Sequence, residues 1–385
     1  MNTNSIKNVL YVGLYSKDYS RNYTFINGLK KQDINVYEIN LANLSKYEGI
    51  KKLLRNFKKI KNIKFDLLIF YDIRIAPISF ILTRAYAFIK RILFIYDFFI
   101  SKRLTYFADR NLNIVIKKKI QIKLYYWIYY YLLDFFECHL SNYVILDTFT
   151  HIKYFHKVYN VPIRKFRRVF VGAREDLYYP RQEKKNNKEK FIVGYWGSFI
   201  PLHGVEFIIN AFKLLDDQED ISFCLAGVGQ TYKKNRELVK KLNIKNIKFI
   251  PKIFLGQNIE ELPELISNFD VGLGIFGNSE KTMLVIPNKV FEGIAMKIPM
   301  ITCESPAIKE LFSENENIIL SKHTNSESLA KAILRLKNDE NLREKIKGNA
   351  FNIFQNHCTT EQIGKKLKFI FNQMVRKKKP THFNF

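Results

Sequence analysis

A two-domain α/β architecture with mostly parallel sheets is the fold class that three observations predict. The 385 residues are enough for two separate hydrophobic cores. Short apolar runs bounded by turn residues alternate with helix-length amphipathic segments, which is the rhythm of βαβ units. That rhythm halts after Pro180 at the polar stretch RQEKKNNKEK and then restarts. The expected organisation is a first domain over 1–180, a linker over 181–190, a second domain over 191–360 and a final helix with a basic tail over 361–385. Hydrophobic residues make up 47% of the chain, which places it among folded proteins.

In the first half, Val9 to Val12 reads as the opening strand. A polar loop from Ser16 to Asn22 and a helix ending near Gly28 to Lys31 come next. Ile34 to Ile39, Asp66 to Tyr71, Ile92 to Tyr96 and Val144 to Leu146 read as further strands. Ligands of parallel sheets bind off the carboxyl ends of the strands, which draws attention to the loops at Ser16 to Arg21, Asp72 to Arg74 and Asp97 to Ser101. Arg21 is a candidate phosphate clamp, or else a solvated loop cation. Asp97 is a candidate proton acceptor, or else a turn-capping carboxylate. Asp147 and Thr148 fall at the same edge.

In the second half, Phe191 to Trp196 reads as a strand, followed by the loop Gly197 to Gly204 and a helix over Val205 to Leu215. A glycine turn between strand and helix exposes backbone N–H groups to an anion. Ile221 to Ala226 reads as the next strand, with Gly227 and Gly229 in the turn after it. Ile247 to Pro251 follows, its trailing loop holding Lys252 and Ile253. Phe269 to Phe276 is another strand, and Thr360 to Val375 a C-terminal helix, with a disordered tail from Arg376.

Residues 279–311 carry the densest signal. Pro287 sets a turn, Asn288 offers an N-cap, and a helix is expected over Lys289 to Lys297. A 3.6-residue wheel puts Val290, Phe291, Ile294 and Ala295 on a packing side and Lys289, Glu292 and Met296 on an outward side. A lysine in the first turn opposes the helix macrodipole, so Lys289 makes most sense with an anion nearby. The alternative is an exposed Lys289–Glu292 pair worth about a few tenths of a kcal/mol. Pro299 then precedes a buried strand, Met300 to Thr302.

The net charge is +27, and residues 1–180 hold two-thirds of the excess, with 31 lysines and arginines against 13 aspartates and glutamates. Nucleic acid and anionic lipid both attract such a surface; a composition rich in lysine, asparagine and isoleucine throughout is a third source of the charge. Residues 117–137 join Lys117, Lys118, Lys119 and Lys123 to a tyrosine and tryptophan cluster. That pattern suits a membrane surface, or else an aromatic core helix with a basic start. The four cysteines lie far apart without metal-ligand or disulfide spacing, as suits a reducing cytosol. Arg84, Lys90 and Arg91 interrupt the most apolar region, so no membrane span is expected. No nucleophile triad, H-E-x-x-H or Walker lysine motif is present.

The 279–311 stretch resembles the donor-site signature of retaining glycosyltransferases of family 4, which have the GT-B fold. Glu292 stands at the second glutamate of the family's E-x7-E motif, which binds the nucleotide ribose; the first position is Leu284, and Glu280 or Lys281 is placed to substitute. Pro287-Asn288-Lys289 is similar to a variant subgroup that also has His-Gly in the first glycine loop, here His203-Gly204. Ser198 and His203 occupy the positions of the family's arginine and lysine on the diphosphate.

The resemblance implies two Rossmann-like domains facing across a cleft, with the C-terminal helix crossing back to the first. It further implies transfer of a sugar, with retention, from a nucleotide-diphosphate donor to a saccharide or lipid-linked saccharide, in cell-envelope polysaccharide or glycan synthesis. Gly197, Ser198, His203, Gly204, Gly227, Gly229, Ile253, Glu280, Lys281, Asn288, Lys289 and Glu292 would line the donor site. Asp97 and Glu292 would be catalytic, and Arg21, Asp97 and Thr148 would lie on the acceptor side. No metal or other cofactor and no nucleic-acid partner are expected, and the protein is expected in the cytoplasm, with the anionic inner face of the plasma membrane as a candidate partner surface. Two alternatives stand beside this: a GT-B relative that binds or isomerises nucleotide sugars without transfer, and a basic RNA-binding protein, which would lack a recognisable RNA-binding motif.

Overall fold

The computed structural model describes residues 5–72, 76–99, 101–109, 120–181, 190–251 and 260–378. The chain forms two units: the first comprises residues up to 103, 120–172 and 359 onward, and the second comprises 104–119 with 173–358. The division falls at Gly172/Ala173, ahead of the polar stretch at 181–190, because residues 173–181 belong with the second unit.

The first unit is built on six parallel strands: β1 (Asn8–Leu14), β2 (Asn35–Asn40), β3 (Leu67–Asp72), β4 (Leu93–Asp97), β5 (Tyr143–Leu146) and β6 (Phe166–Arg168). Their order is β2-β1-β3-β4-β5-β6. β3 and β4 are buried along their whole length, as expected of parallel strands covered on both faces.

The first helix spans Ser20–Lys30, so Arg21 is a helical residue and not the loop arginine expected above. Its guanidinium is fully buried. Arg21 Nε donates to both carboxylate oxygens of Asp97, at 2.9 and 3.0 Å, and Nη1 donates to the Val169 carbonyl at 3.1 Å. The ring of Phe25 lies 4.5 Å beneath it. Burial works against the cation, but the adjacent Asp97 charge and hydrogen bonds outweigh it and hold Arg21 above its ordinary value.

The C-terminal helix, Thr360–Lys378, belongs to this first unit. It buries Ile363, Leu367, Ile370, Phe371 and Met374 in the core beneath β1 and the first helix. Contact is close because two glycines face each other: a Cβ on Gly364 would lie 2.1 Å from the Gly28 carbonyl oxygen. The helix runs to Lys378, so residues 376–378, expected in a disordered tail, are helical.

The second unit holds β7 (Phe191–Trp196), β8 (Ile221–Ala226), β9 (Ile247–Ile250), β10 (Val271–Leu273), β11 (Met300–Cys303) and β12 (Ile319–Ser321). All are parallel, in the order β12-β11-β10-β7-β8-β9. The order reverses between β7 and β10, the position at which such sheets open a crevice at their carboxyl ends.

Removing one partner of a buried ion pair leaves an uncompensated charge, at a cost of about 3–5 kcal/mol. Arg21→Ala and Asp97→Ala are therefore each expected to lower unfolding free energy by about that amount in urea titrations, with the double variant losing less than the sum. Single-variant losses below about 1 kcal/mol would remove the pair from its structural role.

Candidate functional site

The loops leaving β7 and β10 meet at that reversal point. Gly197 follows β7 directly with φ 135°, a conformation L side chains rarely adopt. A Cβ there would lie 3.1 Å from Lys289 Nζ and 3.3 Å from His203 Cε1, so the bare backbone is what lets both side chains approach. Gly227, after β8, supports the same loop: with φ 145°, a Cβ on it would fall 1.9 Å from the Gly197 carbonyl oxygen. Gly229 lies against the Phe199 backbone. Gly204 is the residue from which the helix Val205–Lys213 starts.

The helix expected at Lys289 spans Asn288–Ala295 and ends short of Lys297. Pro287 occupies its N-cap and no side chain caps it, so Asn288 is the first helical residue and not the cap. Lys289 and Met296 are buried, at 5% and 4% exposure, where the helical wheel placed them outward. The loop from β7 covers that side of the helix start. Lys289 Nζ stands 3.9 Å above the Tyr195 ring centroid and 3.4 Å from His203 Nδ1. Among the described residues no carboxylate forms an ion pair with it, so the exposed Lys289–Glu292 pair is excluded. Burial pulls Lys289 well below the ordinary lysine range, with Glu292 opposing.

His203 is likewise pushed well below its usual value, first by burial and then by the Lys289 charge, so the ring is neutral. Tyr195 fixes it: the phenol donates to the Ser198 carbonyl at 2.9 Å and lies 2.7 Å from His203 Nδ1. The Ser198 side chain itself is on the exposed surface.

Glu292 is half-buried, and its Oε2 accepts from Trp196 Nε1 at 2.7 Å. Burial raises its carboxyl pKa, while the Trp196 bond and Lys289 oppose the rise. Glu280 and Lys281 sit on a short 3-10 turn, Glu280–Met283, with Glu280 exposed. Lys281 Nζ donates to Thr105 Oγ1 at 3.0 Å, and its charge is felt at His203. Ile253 lies outside the described residues.

The residues expected on the acceptor side are occupied structurally. Asp97 is closed off by Arg21, which takes both carboxylate oxygens, so neither is an open base or phosphate clamp as placed. Thr148 caps the helix Phe149–Tyr159, accepting from the His151 N–H at 3.0 Å.

Tyr195 and Trp196 are neighbours of the candidate site residues that motif spacing missed, because they read as ordinary apolar strand residues. The same holds for a buried polar cluster in the first unit. There Lys102 bonds Glu137 and Tyr96, and Asp134 accepts from Ser101 Oγ at 2.6 Å. Burial pushes the Glu137 carboxyl up to about 7, with Lys102 opposing. Beside it His151 Nδ1 pairs with Asp147 Oδ1 at 2.8 Å.

A loop junction that gathers a buried lysine, a glycine-bared backbone and a neutral histidine, with the Glu292 carboxylate on the same helix as the lysine, is fit to take an anion linked to a hydroxylated group. Residues 180–353 match the family model of glycosyl transferases group 1. An uncharacterized glycosyltransferase of Methanocaldococcus jannaschii is 26% identical over 188 residues, covering 47% of this chain and 46% of the relative. The capsular polysaccharide biosynthesis glycosyltransferase CapM of Staphylococcus aureus is 22% identical over 242 residues, covering 57% and 60%. The chain thus matches about half the length of these curated relatives. The structure of Anabaena HepE in complex with UDP superposes with a TM-score of 0.65 at 14% identity, covering 95% of this chain and 100% of that one. That likeness is one of fold: two Rossmann-like, parallel-sheet α/β units of the GT-B type.

Gly227→Ala would drive a methyl into the Gly197 carbonyl in a strained backbone conformation, at a cost of about 1–3 kcal/mol. A fall in melting temperature is expected on thermal denaturation; an unchanged melting temperature would show that the two glycine loops are not braced in this way.

Proposed function

We propose that the protein is a glycosyltransferase that moves a sugar, with retention, from a nucleotide-diphosphate donor to a saccharide or lipid-linked saccharide. The observation that carries this is Lys289, a buried lysine with no carboxylate ion-pair partner among the described residues, set between Gly197, Tyr195 and His203 at the reversal point of a parallel sheet. A desolvated ammonium is costly unless an anion completes its surroundings, and a diphosphate supplies the charge.

As the glycosidic bond to the donor breaks, the leaving diphosphate gains negative charge. Lys289 and the N-terminus of its own helix then interact more strongly with the transition state than with the ground state. His203 adds a hydrogen bond without a full charge, and Glu292, held by Trp196, accepts the ribose hydroxyls. The HepE complexes with UDP and UDP-glucose make uridine diphosphate the first nucleotide to test. The likeness to CapM favours an acceptor in envelope polysaccharide synthesis.

A second reading, a relative that binds nucleotide sugars without transferring them, is favoured by Leu284, Ser198 and His203 where the family has a glutamate and two cations. Incubation with radiolabelled donor separates the two: a glycosylated product supports transfer, while donor binding with no product under any acceptor supports the second.

Lys289→Ala removes a destabilised cation, so the empty protein is expected to melt no lower than wild type while the UDP-induced rise in melting temperature disappears. Lys289→Ala and Glu292→Ala should each reduce turnover by about a hundredfold or more; wild-type rates in both would refute the assignment.

Because burial depresses Lys289 in the empty site and an anion restores it, binding takes up protons between the two pKa values. Affinity for UDP should therefore fall as pH rises through that window. Calorimetry in buffers of differing ionisation enthalpy should register proton uptake that Lys289→Ala abolishes; proton release would contradict it.

A further inference from the structure

We propose that two neighbouring helices of the first unit, Pro77–Ile89 and Ile120–Leu140, form a docking face for an anionic lipid bilayer. The inference rests on this unit alone and stands apart from the donor-site assignment.

The helix Ile120–Leu140 is apolar on two sides. One side is core, with Tyr130 and Cys138 buried beside Asp134 and Glu137. The other is a stripe at four-residue spacing, Leu124, Ile128, Leu132, Phe136 and Leu140, whose members are 42–57% exposed. Tyr125 and Trp127 flank the stripe and are also exposed. A helix that is hydrophobic all round belongs in a large core or against lipid, and this one has protein on one side only among the described residues.

The helix Pro77–Ile89 extends the face, ending in Phe88 and Ile89 at 72% and 75% exposure. Arg84 joins the two: its Nε donates to the Leu140 carbonyl at 2.6 Å, and its guanidinium lies 5.9 Å from the Phe88 ring centroid.

Charge identifies the occupant. The helix Pro77–Ile89 contains no acidic residue, and the two on Ile120–Leu140, Asp134 and Glu137, both point into the core. Over residues 74–133 the acidic residues are Asp97, which is buried, and Asp109, against a large excess of lysine and arginine. Lys90 and Arg91 follow the exposed Phe88 and Ile89 directly, and in sequence Lys117, Lys118, Lys119 and Lys123 lead into the stripe.

An exposed apolar face with Arg84, Lys90 and Arg91 on and just after the helix Pro77–Ile89, and tyrosine and tryptophan beside the stripe, matches the layering of a headgroup region, where rings sit at the interface and cations meet anionic lipid. A second copy of the chain fits worse, because a two-fold contact would set the same basic border against itself. Among the described residues no helix is long and apolar enough to cross a membrane, so the face would lie on the bilayer.

The test is flotation of the full chain with vesicles of phosphatidylcholine alone or mixed with phosphatidylglycerol. Binding to the mixed vesicles, weakened by salt and reduced about tenfold or more in Ile128→Ser/Leu132→Ser/Phe136→Ser, supports the proposal. These side chains are exposed, so the variant should keep the wild-type melting curve and any UDP-induced shift.

The proposal is overturned by no flotation, by equal binding to neutral vesicles, or by undiminished binding of the variant. It is also overturned by a wild-type dimer in light scattering that the variant converts to monomer. A chain that floats but shows no UDP shift would leave this proposal standing and remove the donor assignment instead.

Discussion

A lysine withdrawn from water with no carboxylate ion-paired to it among the described residues is the constraint around which the site of the second unit is arranged. Taking such a charge out of solvent costs several kcal/mol even after relaxation. The Tyr195 ring beneath Lys289 returns only a fraction of that cost, on the order of 1–2 kcal/mol. The rest must come from the remainder of the unit, and the supporting parts are visible. Gly197 leaves room for the ammonium, Gly227 braces the Gly197 backbone, and Tyr195 locks His203 in place. Evolution of a fold that holds an unpaired cation in place is easiest to understand if an anion regularly arrives there.

The first unit solves the same electrostatic problem in the opposite way. At the carboxyl ends of its strands, charges are also buried, but these find partners: Arg21 with Asp97 and Lys102 with Glu137. Perturbed ionisation alone would nominate all of these groups as sites. Partnership separates them, since a satisfied pair makes structure while an unsatisfied cation waits for a ligand.

The aromatic helix Ile120–Leu140 carries both behaviours on one element. Its inward side supplies Asp134 and Glu137 to the buried network, fixing the helix rigidly against β4 through Tyr96 and Lys102. Rigid support is what permits its outward side to stay apolar and exposed without the helix collapsing inward to hide it.

The sequence alone determined the two parallel sheets, because strands buried on both faces must be short continuous apolar runs; Leu67–Tyr71 and Leu93–Tyr96 carry that signal without a break. It also determined the start of the helix bearing Lys289 to within one residue, and the glycines at 197, 204, 227 and 229, since backbone geometry and residue type are locally coupled. What only the tertiary structure decided is where the charges go. Arg21 reads as a loop residue until Asp97, 76 positions away, closes on it. Lys289 reads as exposed on its own helix until the loop after β7 covers it. A helical wheel knows the direction in which a side chain leaves its axis, but burial depends on which other segment comes to lie there, and that is a property of the folded chain.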